Sequence, residues 1–302
     1  MGQTMNRTKE KQEWKGKTGG TLWMHRCLIW MMRHLPLRGL YAFTDVFVIP
    51  FCMLFSRQGY LAIYHYFRRR RNEGVWRAFL HTYLNHCKFA EVILDRFYIY
   101  AGGKFDFDIE DNGRYLDLAK GKDGFVILSA HVGNYEAAGY TLVAENKRFN
   151  ALVYAGEAET VMDYRRKMFE GNNLRMILIR DDMSHLFEMN NALAEGESVS
   201  IPADRIFGSS RHFDIDFIGA KAKFPMGPFA TAVQRNLPVL AINVMKVSAK
   251  KYRLLIKQLD YADEGQSIKV RAERLAHAYA RNLERVLDEY PTQWFNYFEF
   301  WN

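Results

Sequence analysis

Two hydrophobic rhythms alternate along this chain. Phe125-Val-Ile-Leu-Ser-Ala130 is mostly apolar and β-prone with no polar alternation, the pattern of a strand buried on both faces of a parallel sheet. A polar turn follows, and Ala137 to Glu145 then carries apolar side chains at helical spacing. The predicted unit is strand, tight turn, helix. Gly133 and Asn134 suit the turn, and Asn134 is placed to cap the helix. Further strands are predicted at Asn150–Tyr154, Arg175–Ile179, Ser198–Pro202, Val239–Val247 and Tyr252–Leu259. Helices are predicted at Val161–Gly171, Ser184–Glu195, Gly227–Arg235 and Ser267–Glu289. Strands alternating with helices predict an α/β fold: a mostly parallel central sheet with helices on both faces.

The pattern differs before this region. Residues 1–20 are polar and Lys-rich and read as a disordered basic tail. Residues 21–56 are apolar and aromatic, interrupted by Arg26, Arg33, His34, Pro36, Arg38, Asp45 and Pro50. No run there reaches the roughly eighteen uninterrupted apolar residues of a spanning helix, and no small-residue site marks a cleaved signal peptide. Two short helices joined near Pro36 are expected. They either lie in a membrane interface with Trp23 and Trp30 inserted, or pack as core helices. Val75 to Tyr100 has helical spacing and is expected to pack on the sheet. No repeat or Pro/Gly/Ser-rich linker divides residues 57–302, which read as one α/β domain of sufficient length for a large core.

Composition narrows the partners. The formal charge of +8 is compatible with nucleic acid, an anionic membrane face or an acidic protein, but no nucleic-acid module is recognisable. The densest basic run is Phe67-Arg-Arg-Arg-Arg71. It reads as a solvated helix end, a lipid-headgroup contact or a dock for an acidic carrier protein. Cys27, Cys52 and Cys87 are too few and too scattered for a disulfide framework or metal cluster, so a reducing setting is expected.

Candidate chemistry concentrates after the Phe125 strand. His131 is expected at the strand's carboxyl end, where open α/β sheets bind ligands. Glu136 is expected within reach in the first helical turn. A neutral imidazole can take a proton from a hydroxyl nucleophile, and a carboxylate on its other nitrogen fixes the tautomer and stabilises the imidazolium. Ser129 has no Gly-x-Ser-x-Gly elbow around it. Direct attack by a substrate hydroxyl is therefore favoured, with His131 as base and Glu136 as its orienting carboxylate. Oxyanion donors are sought among backbone amides near Gly133 or the arginines. No His-Glu-x-x-His or other zinc pattern occurs, so neither metal nor bound cofactor is expected.

His131-Val-Gly-Asn-Tyr-Glu136 resembles the His-x4-Asp/Glu motif of glycerolipid acyltransferases. In its His-x-Gly-Asn-x-Glu form it is similar to the late lauroyl and myristoyl transferases of lipid A biosynthesis. The likeness runs on through Met176-Ile-Leu-Ile-Arg180, Leu193-Ala-Glu-Gly-Glu-Ser-Val-Ser-Ile-Pro-Ala-Asp204 and Phe217-Ile-Gly-Ala220. It continues at Pro225-Met-Gly-Pro-Phe-Ala230 and Pro291-Thr-Gln-Trp-Phe295.

The resemblance implies transfer of a fatty acyl chain from an acyl carrier protein thioester to a hydroxyl of a membrane lipid acceptor. It also implies a place on the cytoplasmic face of a Gram-negative inner membrane. Asp204 falls in a block near the family's substrate site, and Asn134, Arg165 and Arg205 are further candidate binding residues. A solvated helix face accounts equally well for Arg165 and its neighbour Arg166.

Three departures concern the acceptor. Arg205 stands where many relatives have Gln, the C-terminal block reads Gln293-Trp-Phe-Asn-Tyr-Phe-Glu-Phe-Trp301 where lipid A enzymes have a His and basic residues, and Tyr154-Ala-Gly-Glu-Ala-Glu159 replaces an Asn-x-Arg-Pro-like segment. They keep open another acceptor, such as an amino-acid lipid or an aryl-polyene pigment. A thioester or lipid hydrolase and a non-catalytic lipid-binding relative are the remaining alternatives.

Overall fold

Strand β2 (Phe125–Ser129) is buried along its whole length. Its residues alternate between two cores: Val126 and Leu128 face one, Phe125 and Ile127 the other. That is why the sequence shows no polar alternation here. Each such side chain contributes about 1.5–3 kcal/mol on burial. The strand therefore anchors the turn that follows it far more firmly than any one hydrogen bond could. The computed structural model describes residues 22–55, 57–142, 147–154, 162, 173–180, 182–206, 211–261 and 265–301.

Beside β2 the sheet contains β1 (Asp106–Glu110), β3 (Phe149–Tyr154), β4 (Leu174–Ile179), β5 (Ser198–Pro202), β8 (Val239–Ser248) and β9 (Lys251–Gln258). Among the described residues these seven strands run in the order β1-β9-β8-β2-β5-β3-β4. The pairs β1–β9, β2–β8, β2–β5, β5–β3 and β3–β4 are parallel, while β8 and β9 form an antiparallel hairpin. The fold is thus α/β with a mostly parallel sheet. A separate antiparallel hairpin joins β6 (His212–Phe217) to β7 (Ala220–Pro225).

On one side of the sheet the long helix Ile268–Glu289 buries Leu275, Tyr279, Leu283 and Leu287 with Met226–Gln234 and the β6–β7 hairpin. On the other side Tyr115, Ala137, Ala138 and Leu142 cover Phe125 and Ile127. The predicted helix at Val161–Gly171 lies outside the described residues apart from Met162. The one beginning at Ala137 is described to Thr141.

The N-terminal helices are α1 (Leu22–His34) and α2 (Leu37–Phe55), separated at Pro36 as expected. Pro50 does not break α2, contrary to the reading of its sequence. The turn just before it, Thr44–Val48, is a π-helix. Widening the hydrogen-bond ladder there makes room for a ring that would otherwise press on the carbonyl one turn back. The result is a 19-residue helix, long and apolar enough to cross a membrane, only 17% of which is buried. Its buried residues are few. Leu37 and Tyr41, with Ile29 and Met32 of α1, pack on Leu94, Phe97 and Tyr100 of α4 (Val75–Tyr100), the helix after α3 (Arg57–His65).

Candidate active site

The parallel register of β2 and β5 builds the site. Phe125 pairs with Ser198 and Ser129 with Pro202. Two residues beyond each strand end, the same offset brings His131 opposite Asp204. Two hydrogen bonds hold the pair: the ring Nδ1 lies 2.7 Å from Asp204 Oδ1, and the His131 backbone N–H donates to Asp204 Oδ2 at 2.9 Å. The Asp204 side chain is 1% exposed and that of His131 22%, so the imidazole keeps an open edge while its partner is sealed. With Nδ1 protonated toward Asp204, Nε2 carries the lone pair. The Tyr135 ring stands edge-on to the imidazole, 5.4 Å between centroids.

Electrostatics support a neutral imidazole beside an ionised carboxylate. Burial is the main force lowering the His131 pKa. Arg205 adds to it, and together they outweigh the opposing pull of Asp204. Burial pushes Asp204 up, but the charge and hydrogen bond of His131, with Arg205 and the His131 amide, hold it below the usual carboxylate range. Arg205 packs over the Phe298 ring at 5.6 Å and donates to the Phe295 carbonyl at 2.7 Å. Burial lowers its own pKa, with Asp204 opposing.

This corrects the reading that put Glu136 on the imidazole. The Nδ1 partner is Asp204, and the oxygens of Glu136 are engaged by Arg96 at 2.8 Å and by the Tyr100 hydroxyl at 3.2 Å, both from α4. Short spacing in sequence suggested reach. The turn between the two residues instead directs the Glu136 side chain toward α4.

Gly133 makes that turn. Its φ of 57° lies in the left-handed region, and a Cβ at this position would strike the Val244 carbonyl oxygen. Its N–H donates to the Gln293 carbonyl at 2.8 Å, that of Asn134 to Val244 at 2.7 Å, and that of Phe295 to the His131 carbonyl at 2.9 Å. The Gly133 and Asn134 amides are therefore occupied, which removes those two as oxyanion donors. The fully buried Trp294 bridges Val132, so the Pro291–Phe295 block is the wall on which the His131 loop rests.

Asn134 is scaffold as well, in place of the substrate contact expected of it. It is 4% exposed, its Oδ1 accepts the Ala137 N–H at 3.3 Å, and its Nδ2 donates to the Tyr252 hydroxyl at 3.2 Å. Arg165 and Arg166 lie outside the described residues. Pro225 directly precedes the helix Met226–Gln234, within one residue of the predicted Gly227–Arg235. Among the described residues no group of three or more His, Cys, Asp or Glu side chains gathers as a metal site requires.

The Arg68–Arg71 run is largely committed within the chain. Arg71 pairs with Asp288 at 2.6 Å, Arg68 donates to the Glu73 carbonyl, and Arg70 lies over the Trp301 ring at 5.0 Å.

A profile of the bacterial lipid A biosynthesis acyltransferase family matches residues 105–301, well over half of the chain. The chain belongs to that family. It is an acyltransferase, and the matched region holds His131, Asp204, Arg205 and the Pro291–Phe295 wall. The structure of the 1-acyl-sn-glycerophosphate (LPA) acyltransferase PlsC from Thermotoga maritima is similar over 90% of this chain and 99% of that one, at 15% identity and a TM-score of 0.38. No curated protein sequence matches.

Proposed function

We propose that this acyltransferase moves a fatty acyl chain from an acyl carrier protein thioester to a hydroxyl of a membrane lipid acceptor of the lipid A precursor kind. The observation that carries the reading is the His131–Asp204 pair at the carboxyl edge of the parallel sheet. His131 Nε2 removes the acceptor hydroxyl proton as that oxygen attacks the thioester carbonyl. The tetrahedral intermediate collapses, the carbon–sulfur bond breaks, and the imidazolium returns its proton to the departing thiolate. Asp204 stays ionised, holds the Nδ1–H tautomer and stabilises the imidazolium. Arg205 supplies positive charge beside the developing oxyanion.

The membrane role falls to α1 and α2, on the cytoplasmic face of the inner membrane. Phe43, Phe47, Phe51, Leu54 and Phe55 on α2, with Trp23 and Trp30 on α1, are exposed. They form an apolar surface suited to the headgroup–acyl boundary.

The test is transfer from labelled acyl carrier protein across a panel of lipid acceptors, with His131→Ala as the control. Transfer to a lipid A precursor that His131→Ala abolishes is the expected result. Transfer only to another acceptor, such as an amino-acid lipid or an aryl-polyene pigment, would retain the chemistry and change the substrate. Release of free fatty acid alone would make the enzyme a hydrolase.

A further inference from the structure

Beneath the His131 turn lies a buried polar cluster with no part in the proton transfer. Asp95 on α4 and Lys246 on β8 form an ion pair whose side chains are 0% and 1% exposed. Two tyrosine hydroxyls donate to the same carboxylate, Tyr252 from β9 and Tyr41 from α2. Lys246 Nζ also donates to the Tyr41 hydroxyl at 2.9 Å and lies 3.6 Å from Glu91.

The cluster reaches the turn by two routes. Asn134 Nδ2 donates to the Tyr252 hydroxyl at 3.2 Å. The Lys246 backbone exchanges hydrogen bonds with the Gln293 side chain at 2.8 and 2.9 Å, and the Gln293 carbonyl takes the Gly133 N–H.

Such a cluster is a weak source of stability. Desolvating two charges offsets their attraction, and well-packed apolar replacements are often neutral or better. What it supplies is direction. A charge-assisted hydrogen bond holds the Tyr252 hydroxyl, and that hydroxyl is the acceptor that orients the Asn134 amide.

We propose that Asp95, Lys246 and Tyr252 are positioning residues for the reaction. The Asp95–Lys246 pair fixes Tyr252, Tyr252 fixes Asn134, and Asn134 sets the turn that aims the His131 ring. The proposal rests on His131 being the base. Because Tyr41 donates to the same carboxylate, the seat of the exposed helix α2 and the seat of the turn share one group.

Tyr252→Phe removes one hydroxyl and leaves the ring in place. Displacing a reacting group by about 1 Å can cost roughly 100-fold in rate. A loosened turn should therefore lower kcat about tenfold, with KM for the acyl donor and the thermal unfolding midpoint little changed. Amide hydrogen exchange should quicken at residues 131–137 while β9 stays protected. A wild-type kcat in folded Tyr252→Phe protein overturns the proposal. So does a loss of kcat that only tracks loss of folded protein, with exchange rising across the whole sheet.

Should Tyr252→Phe fail to fold, Tyr41→Phe probes the same carboxylate from the far side. Quicker exchange at 131–137 is expected there, and unchanged exchange overturns the idea. Exchange needs no turnover. An inactive wild type would therefore count against acyl transfer while leaving the positioning question decided.

Discussion

Asp204 grips His131 at two points, the ring Nδ1 at 2.7 Å and the backbone N–H at 2.9 Å, so one carboxylate fixes both the tautomer and the base of the loop. Asp204→Asn should lower kcat by roughly 10²–10⁴-fold, the range a positioned proton-transfer group contributes. The amide can present its NH2 group to Nδ1 and so stabilise the wrong tautomer. Glu136→Gln should act mainly on stability, because it weakens the partly buried ion pair with Arg96. Steady-state kinetics and thermal unfolding of both variants distinguish the two. A larger kcat loss in Glu136→Gln than in Asp204→Asn would restore Glu136 as the orienting group.

The pH profile carries the imprint of burial and of Arg205. Both hold the His131 pKa below the ordinary histidine value of about 6.5. The base works when neutral, so kcat/KM should rise with pH through that lowered pKa, with its acid limb at lower pH than an ordinary histidine would give. Arg205→Gln removes a cation that disfavours the imidazolium. The His131 pKa then rises and the acid limb moves to higher pH. A limb that stays put or moves to lower pH would show that Arg205 does not act on the imidazole.

Much of the site was legible along the sequence, and the register shows why. β5 was predicted over Ser198–Pro202 and β2 within Phe125–Ala130, so laying the two strands parallel already aligns His131 with Asp204. What pulled the reading toward Glu136 was motif spacing, which says how far apart residues are along the chain but not which way a left-handed glycine turn sends them.

The missed strands are short and half-exposed. Asp106-Phe-Asp-Ile-Glu110, His212-Phe-Asp-Ile-Asp-Phe217 and Ala220-Lys-Ala-Lys-Phe-Pro225 alternate apolar with polar, a strand signal that attention to long apolar runs overlooks. The Asp95–Lys246 pair was not legible at all. Its partners are 151 residues apart, and each looks like an ordinary helix or strand polar residue until the fold brings them together.

Gly133→Ala tests the turn directly. A left-handed conformation costs an L-residue about 1–2 kcal/mol, and overpacking a closed site costs typically another 1–3 kcal/mol. Here the obstacle is the Val244 carbonyl, part of the sheet backbone rather than a side chain free to swing. The variant should unfold at a lower temperature and lose nearly all transfer. Normal activity and an unchanged midpoint would mean that the loop has a second, equally good conformation.

Attachment by α2 predicts that replacing Phe47, Phe51 and Phe55 with Ser moves the protein toward the soluble fraction. All three are well exposed, so the changes should leave the unfolding midpoint nearly unchanged. Sedimentation with lipid vesicles and thermal unfolding are the two measurements. Undiminished vesicle binding by the triple variant would put the attachment surface elsewhere.

The basic run yields the last expectation, and its contacts decide which residues to change. Arg71 engages Asp288 and Arg70 lies over Trp301, so neutralising all four arginines would mix docking with packing. Arg69, whose nearest partner His65 is at 3.5 Å, and Arg77, 3.8 Å from Glu73 and 72% exposed, are the cleaner pair. A basic group near an anionic bilayer contributes about 1 kcal/mol. Arg69→Gln with Arg77→Gln should therefore weaken binding to anionic vesicles by roughly tenfold or more. Wild-type binding should weaken as salt shortens the Debye length below roughly 8 Å, and the variant should show a shallower dependence. Turnover of a water-soluble thioester should not change, since neither residue approaches His131. If KM for acyl carrier protein rises while vesicle binding holds, the run docks the protein donor instead. If both stay at wild-type values, these arginines are a solvated face and nothing more.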